Sequence, residues 1–376
     1  MKIWHKIIIF MICLSFLGRG GEVSALIKAF DVDVNGSVRT SYDDNVTSAS
    51  TNEKDDFITT VLVGLGLKKT GKTYDLELTT NITEQLFWDN TDFNNNAQDV
   101  RLAVLKEFSK YDRVSFSNTF RHAEDPSSFE DAFGRTAGRY SFHRNSMNLQ
   151  YSRDLSKQLG LLVGYDNEIY EVDRANSSDS FLNRVSVELD YFRSSATVFI
   201  LAYYFSVRDL DPGTNSTVHS FVTGVRHYLT KQLYVDATTG LSLVEDFSGK
   251  TSTDPRIFLT LTDDIDENTS VSVSFQKEKF PNGYTEDVFD YWQLTARVRH
   301  QLVERMGVVF SGFYGDGDFD SLNIRDKLTG VSTRLNYDLT EHVSAYVDYA
   351  YSQTQSNVDA RGYERNIITV GMNCSF

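Results

Sequence analysis

Hydrophobic and polar residues alternate along almost the whole chain with a period of two. In the closing stretch Ile368, Val370, Met372, Cys374 and Phe376 share one face. Arg365, Thr369, Gly371, Asn373 and Ser375 share the other. Successive side chains of a β-strand point to opposite sides of the sheet, so this text predicts an amphipathic strand. The same alternation runs through Phe30 to Tyr42, Phe57 to Leu67, Tyr74 to Ile82, Val114 to Phe120, Leu159 to Tyr165, Val185 to Tyr191, Leu233 to Leu243, Trp292 to Val298 and Val343 to Tyr351. About 18 segments of roughly 9–13 residues fit the chain.

The connections between segments are of two kinds. Lys69 to Lys72, Ser152 to Lys157, Phe192 to Ser195, Leu229 to Gln232, Asp263 to Asn268, Gln301 to Arg305 and Asp338 to His342 are short. Asp43 to Asp56, Trp88 to Gln98, Ala123 to Thr136, Asp211 to Ser216, Glu245 to Asp254 and Gly315 to Ile324 are longer, polar and often acidic. Leu155, Phe192, Leu229, Ile265, Leu302 and Leu339 recur about 37 residues apart, each at a short turn. A period of two excludes a helical repeat, and that length holds two long strands rather than the four of a propeller blade. The chain therefore reads as all-β: a transmembrane antiparallel up-and-down barrel of about 18 strands, with apolar residues toward lipid and polar residues toward a lumen. A soluble β-solenoid or propeller is the competing reading. With both ends of the barrel on the periplasmic side, the strand count should be even, the short turns periplasmic and the longer loops outside. No loop is long enough for a separate plug domain, although Ala123 to Thr136 can fold inward.

Residues 1–25 read as a signal peptide. Lys2 and Lys6 precede an apolar run from Ile7 to Leu17, and Val23-Ser24-Ala25 supplies small residues at a cleavage site. The run is shorter than the about 20 residues of a spanning helix. Residues 26–376 then form the barrel. Only Cys374 lies in that part, so no internal disulfide is expected there. The net charge of −15 speaks against nucleic-acid binding, which wants basic faces. A mean hydropathy of −0.34 excludes a helical inner-membrane protein but not a barrel, whose strands show lipid only alternate residues. Many Tyr and only 4 Pro suit aromatic girdles and uninterrupted strands. Tyr42, Trp88, Tyr151, Tyr191, Tyr314, Tyr337 and Tyr351 fall at strand ends, whereas Tyr204, Tyr234, Tyr291 and Tyr346 fall in the lumen phase, to pack there or to stack on sugar rings.

The hairpin repeat, with turns such as Asp154-Leu155-Ser156-Lys157 and Asp338-Leu339-Thr340-Glu341, and the ending Tyr363-Glu364-Arg365-Asn366 to Phe376, resemble the Putative beta-barrel porin 2 family. The resemblance covers nearly all of residues 26–376 and rests on loose patterns. It implies an outer-membrane barrel of the kind often associated with exopolysaccharide synthesis and export, and it offers no catalytic residue.

Gly66-Leu67-Lys68-Lys69-Thr70-Gly71-Lys72-Thr73 matches the text of a phosphate-binding P-loop. A P-loop needs a following helix, and Tyr74 onward alternates as a strand, so a basic hairpin turn is expected. The six histidines after the leader form no metal-like cluster; His227, His300 and His342 lie by short turns, where an amphipathic ring suits the interface. No Ser, His and Asp spacing selects a catalytic set, so no enzyme, cofactor or metal is expected.

A charge on the lipid face costs about 2–4 kcal/mol at the bilayer midplane, which forces charged residues of the strands inward. The candidate lumen residues are Arg101, Arg144, Arg184, Arg226, Arg297, Arg299, Arg334, Glu188, Asp236 and Asp348. They are expected either to form a charged track for solutes or an anionic polymer, or to pair with one another as a ladder that satisfies the interior. Val370, Met372 and Phe376 are the candidate C-terminal assembly signal. The expected function is a porin-like channel of the bacterial outer membrane, with exopolysaccharide passage implied by the resemblance. The alternatives are a general or solute-selective porin, or a structural or adhesive surface barrel. The expected partners are outer-membrane lipid, the barrel-assembly machinery, an anionic polysaccharide and periplasmic export components, with no nucleic acid.

Overall fold

The computed structural model describes residues 30–376 apart from 136–137, 175–177, 212 and 286. The leader expected at residues 1–25 lies outside the described residues. The strands are β1 (Asp31–Asp43), β2 (Asp56–Thr70), β3 (Tyr74–Phe87), β4 (Asn95–Glu107), β5 (Asp112–Ala123), β6 (Phe142–Asp154), β7 (Leu159–Val172), β8 (Asp179–Ser194) and β9 (Thr197–Asp211). They continue as β10 (Thr214–Tyr228), β11 (Leu233–Glu245), β12 (Thr251–Asp266), β13 (Thr269–Pro281), β14 (Val288–Val303), β15 (Met306–Phe319), β16 (Ile324–Asp338), β17 (Val343–Ser356) and β18 (Tyr363–Ser375). One helical turn, α1 (Phe129–Ala132), interrupts the pattern between β5 and β6.

Every strand pairs antiparallel with its sequence neighbours, and β1 pairs with both β2 and β18. The 18-stranded sheet is therefore closed. Backbone amides of Val34 and Phe376 exchange hydrogen bonds of 2.9 Å at the seam. Closure leaves no edge for another chain to add to.

The phase of the strands follows the sequence. Leu201, Phe221 and Val370 are each 58–60 % exposed on the outer face. A continuous belt of such residues would aggregate in water and is the expected match to hydrocarbon. Tyr42, Phe57 and Trp88 stack side by side on that face, with ring centroids 5.1 and 5.4 Å apart.

The hairpin repeat has a physical basis. The amides of Phe108, Leu155, Leu229 and Leu339 each donate at 2.9 Å to the carbonyl four residues on. The hydroxyls of Ser109, Ser156, Thr230 and Thr340 accept from amides two residues on, at 3.1–3.2 Å. Such hydroxyls fix the turn locally. The P-loop-like text is strand, turn and strand, with residues 71–73 between β2 and β3.

Two expectations need correction. Residues 95–98, 251–254 and 315–319 read as loop but are strand. Beyond the lipid both faces of a strand can be polar, so the ladder continues where the alternation fades. Connections at 108–111 and 357–362, and those between β7 and β8 and between β13 and β14, are not singled out by the pattern.

Candidate functional site

Between β5 and β6, residues 124–135 and 138–141 turn into the barrel rather than away from it. Ser128 caps α1, its hydroxyl accepting from the Asp131 amide at 3.2 Å. A Ser at the cap followed by an acid three residues on is a helix-start signal. Phe129 and Phe133 stand four residues apart on one face of that turn and reach across to β14–β16. Phe133 packs edge-on against Phe289, Tyr291 and Phe313, with centroids 5.1, 5.7 and 5.6 Å away.

Glycines on the inner wall receive these rings. A Cβ at Gly315 would stand 2.7 Å from the Phe133 ring, and one at Gly330 would stand 2.6 Å from Phe129. Gly134 adopts φ 80°, and its carbonyl accepts from Asn282 Nδ2 at 3.0 Å.

Charge holds the rest of the loop. Arg144 reaches Asp131 at 3.2 Å and Glu168 at 2.6 Å, and Arg208 shares Glu168 at 3.2 Å. Arg139 grips Glu124 and Asp125 at 2.9 and 2.7 Å. Arg361 pairs with Asp326 and donates to the Arg135 carbonyl at 3.2 Å. Arg365 pairs with Asp43 at 2.5 Å. Burial works against the Asp131 charge, yet the Ser127 amide and the guanidinium groups of Arg135, Arg144 and Arg121 hold its carboxyl below the usual range. Burial pushes the Tyr284 phenol up to about 12.

The docked loop divides the space at this end of the lumen. A cavity of about 380 Å³ lies between the loop and β6, β7 and β9, lined by Asp131, Arg144, Glu168, Arg208 and Tyr284. A second, of about 460 Å³, lies between the loop and β1–β4, β17 and β18, lined by Arg39, Asp43, Arg121, Asp348 and Arg365. A third cavity, of about 860 Å³, lies at the turn end beside β1, β17 and β18, lined by Asn35, Ser37, Asn81, Ser344 and Asn373 among others.

All ten candidate lumen residues take the inward phase of their strands. They do not form one ladder. Arg226–Asp236 and Arg334–Asp348 pair across strands at 2.8 and 2.5 Å, and Arg144 joins the loop network. Among the described residues Arg101, Arg184, Arg297 and Arg299 make no ion pair. Glu188 accepts from the Tyr204 hydroxyl at 3.3 Å. Val370, Met372 and Phe376 face outward, 58, 49 and 70 % exposed. His227 and His300 lie at turns and meet Thr197 and Thr269 at 2.9 Å.

The sequence reading leaves out Phe129, Phe133, Arg208, Arg256 and Arg361. Two signals for the first pair are in the text: the Ser128 cap with aromatic residues four apart, and isolated inward glycines, which mark close approach in a strand. The strand phase places Arg208 and Arg256 inward but does not say that they are buried.

Residues 288–376, which carry β14–β18, match the family model described as Putative beta-barrel porin 2. No curated protein matches the chain. Among solved structures, OccK5 (OpdH) of Pseudomonas aeruginosa is 12 % identical, covers 92 % of this chain and 98 % of its own, and superposes with a TM-score of 0.51. OpdK of the same organism, solved with vanillate, gives 11 %, 92 %, 99 % and 0.50. The FrpB iron transporter of Neisseria meningitidis gives 9 %, 94 %, 84 % and 0.50. At these identities the likeness is one of fold. The chain is a closed β-barrel of the outer-membrane type, and its last five strands match the Putative beta-barrel porin 2 family.

Proposed function

We propose that the chain is a porin of the bacterial outer membrane that passes small polar solutes, with loop 124–141 setting the size limit. The observation that carries this reading is the loop docked across the lumen. It splits the loop end into two spaces of about 380 and 460 Å³, one on either side of it. Unpaired Arg101, Arg297 and Arg299 line the interior and give passing anions fixed partners. Outward Val370, Met372 and Phe376 on the closing strand are the surface offered to the assembly machinery.

Exopolysaccharide passage, implied by the family resemblance, is the second reading. Lumen-facing Tyr234 favours it, because sugar rings stack on such faces; the rings of Tyr204 and Tyr346 are covered by Arg256 and Arg334. A polymer chain needs the loop displaced, so export on this reading requires an event that undocks it.

Swelling of liposomes carrying the refolded barrel separates the readings. Swelling in small sugars and sugar acids, with a sharp loss for oligosaccharides, is the expected result. No swelling with any solute would overturn the porin reading and leave a closed exporter or a structural barrel.

A further inference from the structure

The inner wall of β8–β13 holds a second polar recess, apart from the spaces beside the loop. It measures about 30 Å³. That is room for a small ion and its water, and too little for a whole sugar or aromatic solute. Its floor is made of small inward residues, Ser206, Val218, Ser220 and Ser242. Small residues at these register positions let long side chains lie flat along the wall.

Four cations reach the recess: Arg184, Arg208, Arg256 and Lys279. Glu278 is the one carboxylate that lines it. Glu168 serves both Arg144 and Arg208, at 2.6 and 3.2 Å. Glu278 Oε2 stands 3.5 Å from Arg256 Nε, while its Oε1 accepts from Gln276 and Tyr291. Lys279 is matched by Asp320 and Asp254 at 2.6 and 3.6 Å, but Arg184 has no ion pair among the described residues.

The donors point the same way. Arg208 is 6 % exposed, and its Nε is buried with no hydrogen-bond partner. The Nε of Arg256 lacks a hydrogen bond but stands 3.5 Å from the Glu278 carboxylate. A guanidinium N–H has no acceptor role, so it is satisfied only by an oxygen or an anion. Leaving such a charged donor unmet is costly, and the Arg208 Nε, with Arg184 lacking an ion pair beside it, defines what belongs in the recess. Arg256 is fixed from its other side by the rings of Tyr204 and Phe258, 4.8 and 4.9 Å from its guanidinium carbon.

We infer that this recess is a binding site for one compact monoanion, either a halide or the carboxylate end of a solute in the lumen. It deepens the porin reading by giving the passage a fixed anion station, and it rests on that reading only for its role in transport.

The test uses crystals of the unmodified refolded barrel grown in bromide, with anomalous diffraction to locate the ion. Bromide in the recess, against the Nε of Arg208, is the expected result. Its loss in crystals of Arg256→Gln would tie the ion to that side chain. Acetate that displaces the bromide assigns the site to carboxylate ends, and bromide retained against acetate assigns it to halides; either outcome supports the site. Bromide elsewhere in the lumen with none in the recess would overturn the inference. Failure of the porin reading shows independently, in the swelling assay.

Discussion

Arg361 and Arg226 each bind a carboxylate inside the same barrel, but they do so at opposite ends of the lumen. At the loop end, the Arg361 and Asp326 side chains are 9 and 4 % exposed, and the guanidinium also holds a loop carbonyl. Near the turns, the Arg226 and Asp236 side chains are 44 and 29 % exposed. One pair is part of a packed interior, with aromatic rings and a crossing loop around it. The other is a pair on the wall of a water-filled mouth. The barrel therefore combines two interiors in one sheet: a packed end crossed by the loop, and a more open end with arginines that make no ion pair among the described residues.

The largest expected effect comes from releasing the loop. Phe129→Ala with Phe133→Ala removes both rings from their glycine sockets. Large-to-small changes of this kind cost about 3–5 kcal/mol each in a packed core. The closed ladder stays intact, so the barrel should fold while single-channel conductance rises several-fold. Gly330→Leu should act in the same direction from the wall side, because its side chain occupies the Phe129 socket.

The two ion pairs supply the next contrast. Asp326→Ala strands a buried guanidinium and should cost about 3–5 kcal/mol in denaturant unfolding from vesicles. Asp236→Ala, at a wet pair, should cost no more than about 1 kcal/mol. Equal costs would erase the distinction between the two ends.

A smaller effect is expected in selectivity. Arg297→Ala with Arg299→Ala should lower the anion preference, read from the reversal potential in a salt gradient, without changing the unfolding midpoint. Unchanged selectivity would remove these two residues from the passage.

Acidification should have the mildest effect. The Asp131 carboxyl is held below its usual value in the folded loop, so its contribution to docking is complete above that usual value and fades as pH falls through the depressed one. Conductance should stay flat from neutral pH down to about 4 and rise only below it. A rise already near pH 6 would mean that another group holds the loop.

Much of this molecule is legible from residue order because lipid enforces it. The inward phase of Arg101, Arg184, Arg297 and Arg299 follows from a local alternation, and a single misplaced charge costs enough to keep that alternation clean. The strand ends beyond the lipid, as at residues 315–319, are less legible because that penalty disappears there. The docking of Phe133 depends on Gly315, and that of Phe129 on Gly330, glycines far along the chain. Only the closed register brings them together, so alternation alone cannot show it. Pairing within the lumen has the same origin. Arg334 meets Asp348 because β16 and β17 set them opposite each other, whereas Arg297 stands opposite Ser272 and Ser311.

The central claim is that loop 124–141 limits the passage. Single-channel recording of the refolded barrel beside the Phe129→Ala, Phe133→Ala variant in one planar bilayer tests it most directly. The account predicts small, steady openings for the native chain and openings several times larger for the variant. Equal conductance from two folded barrels would contradict it.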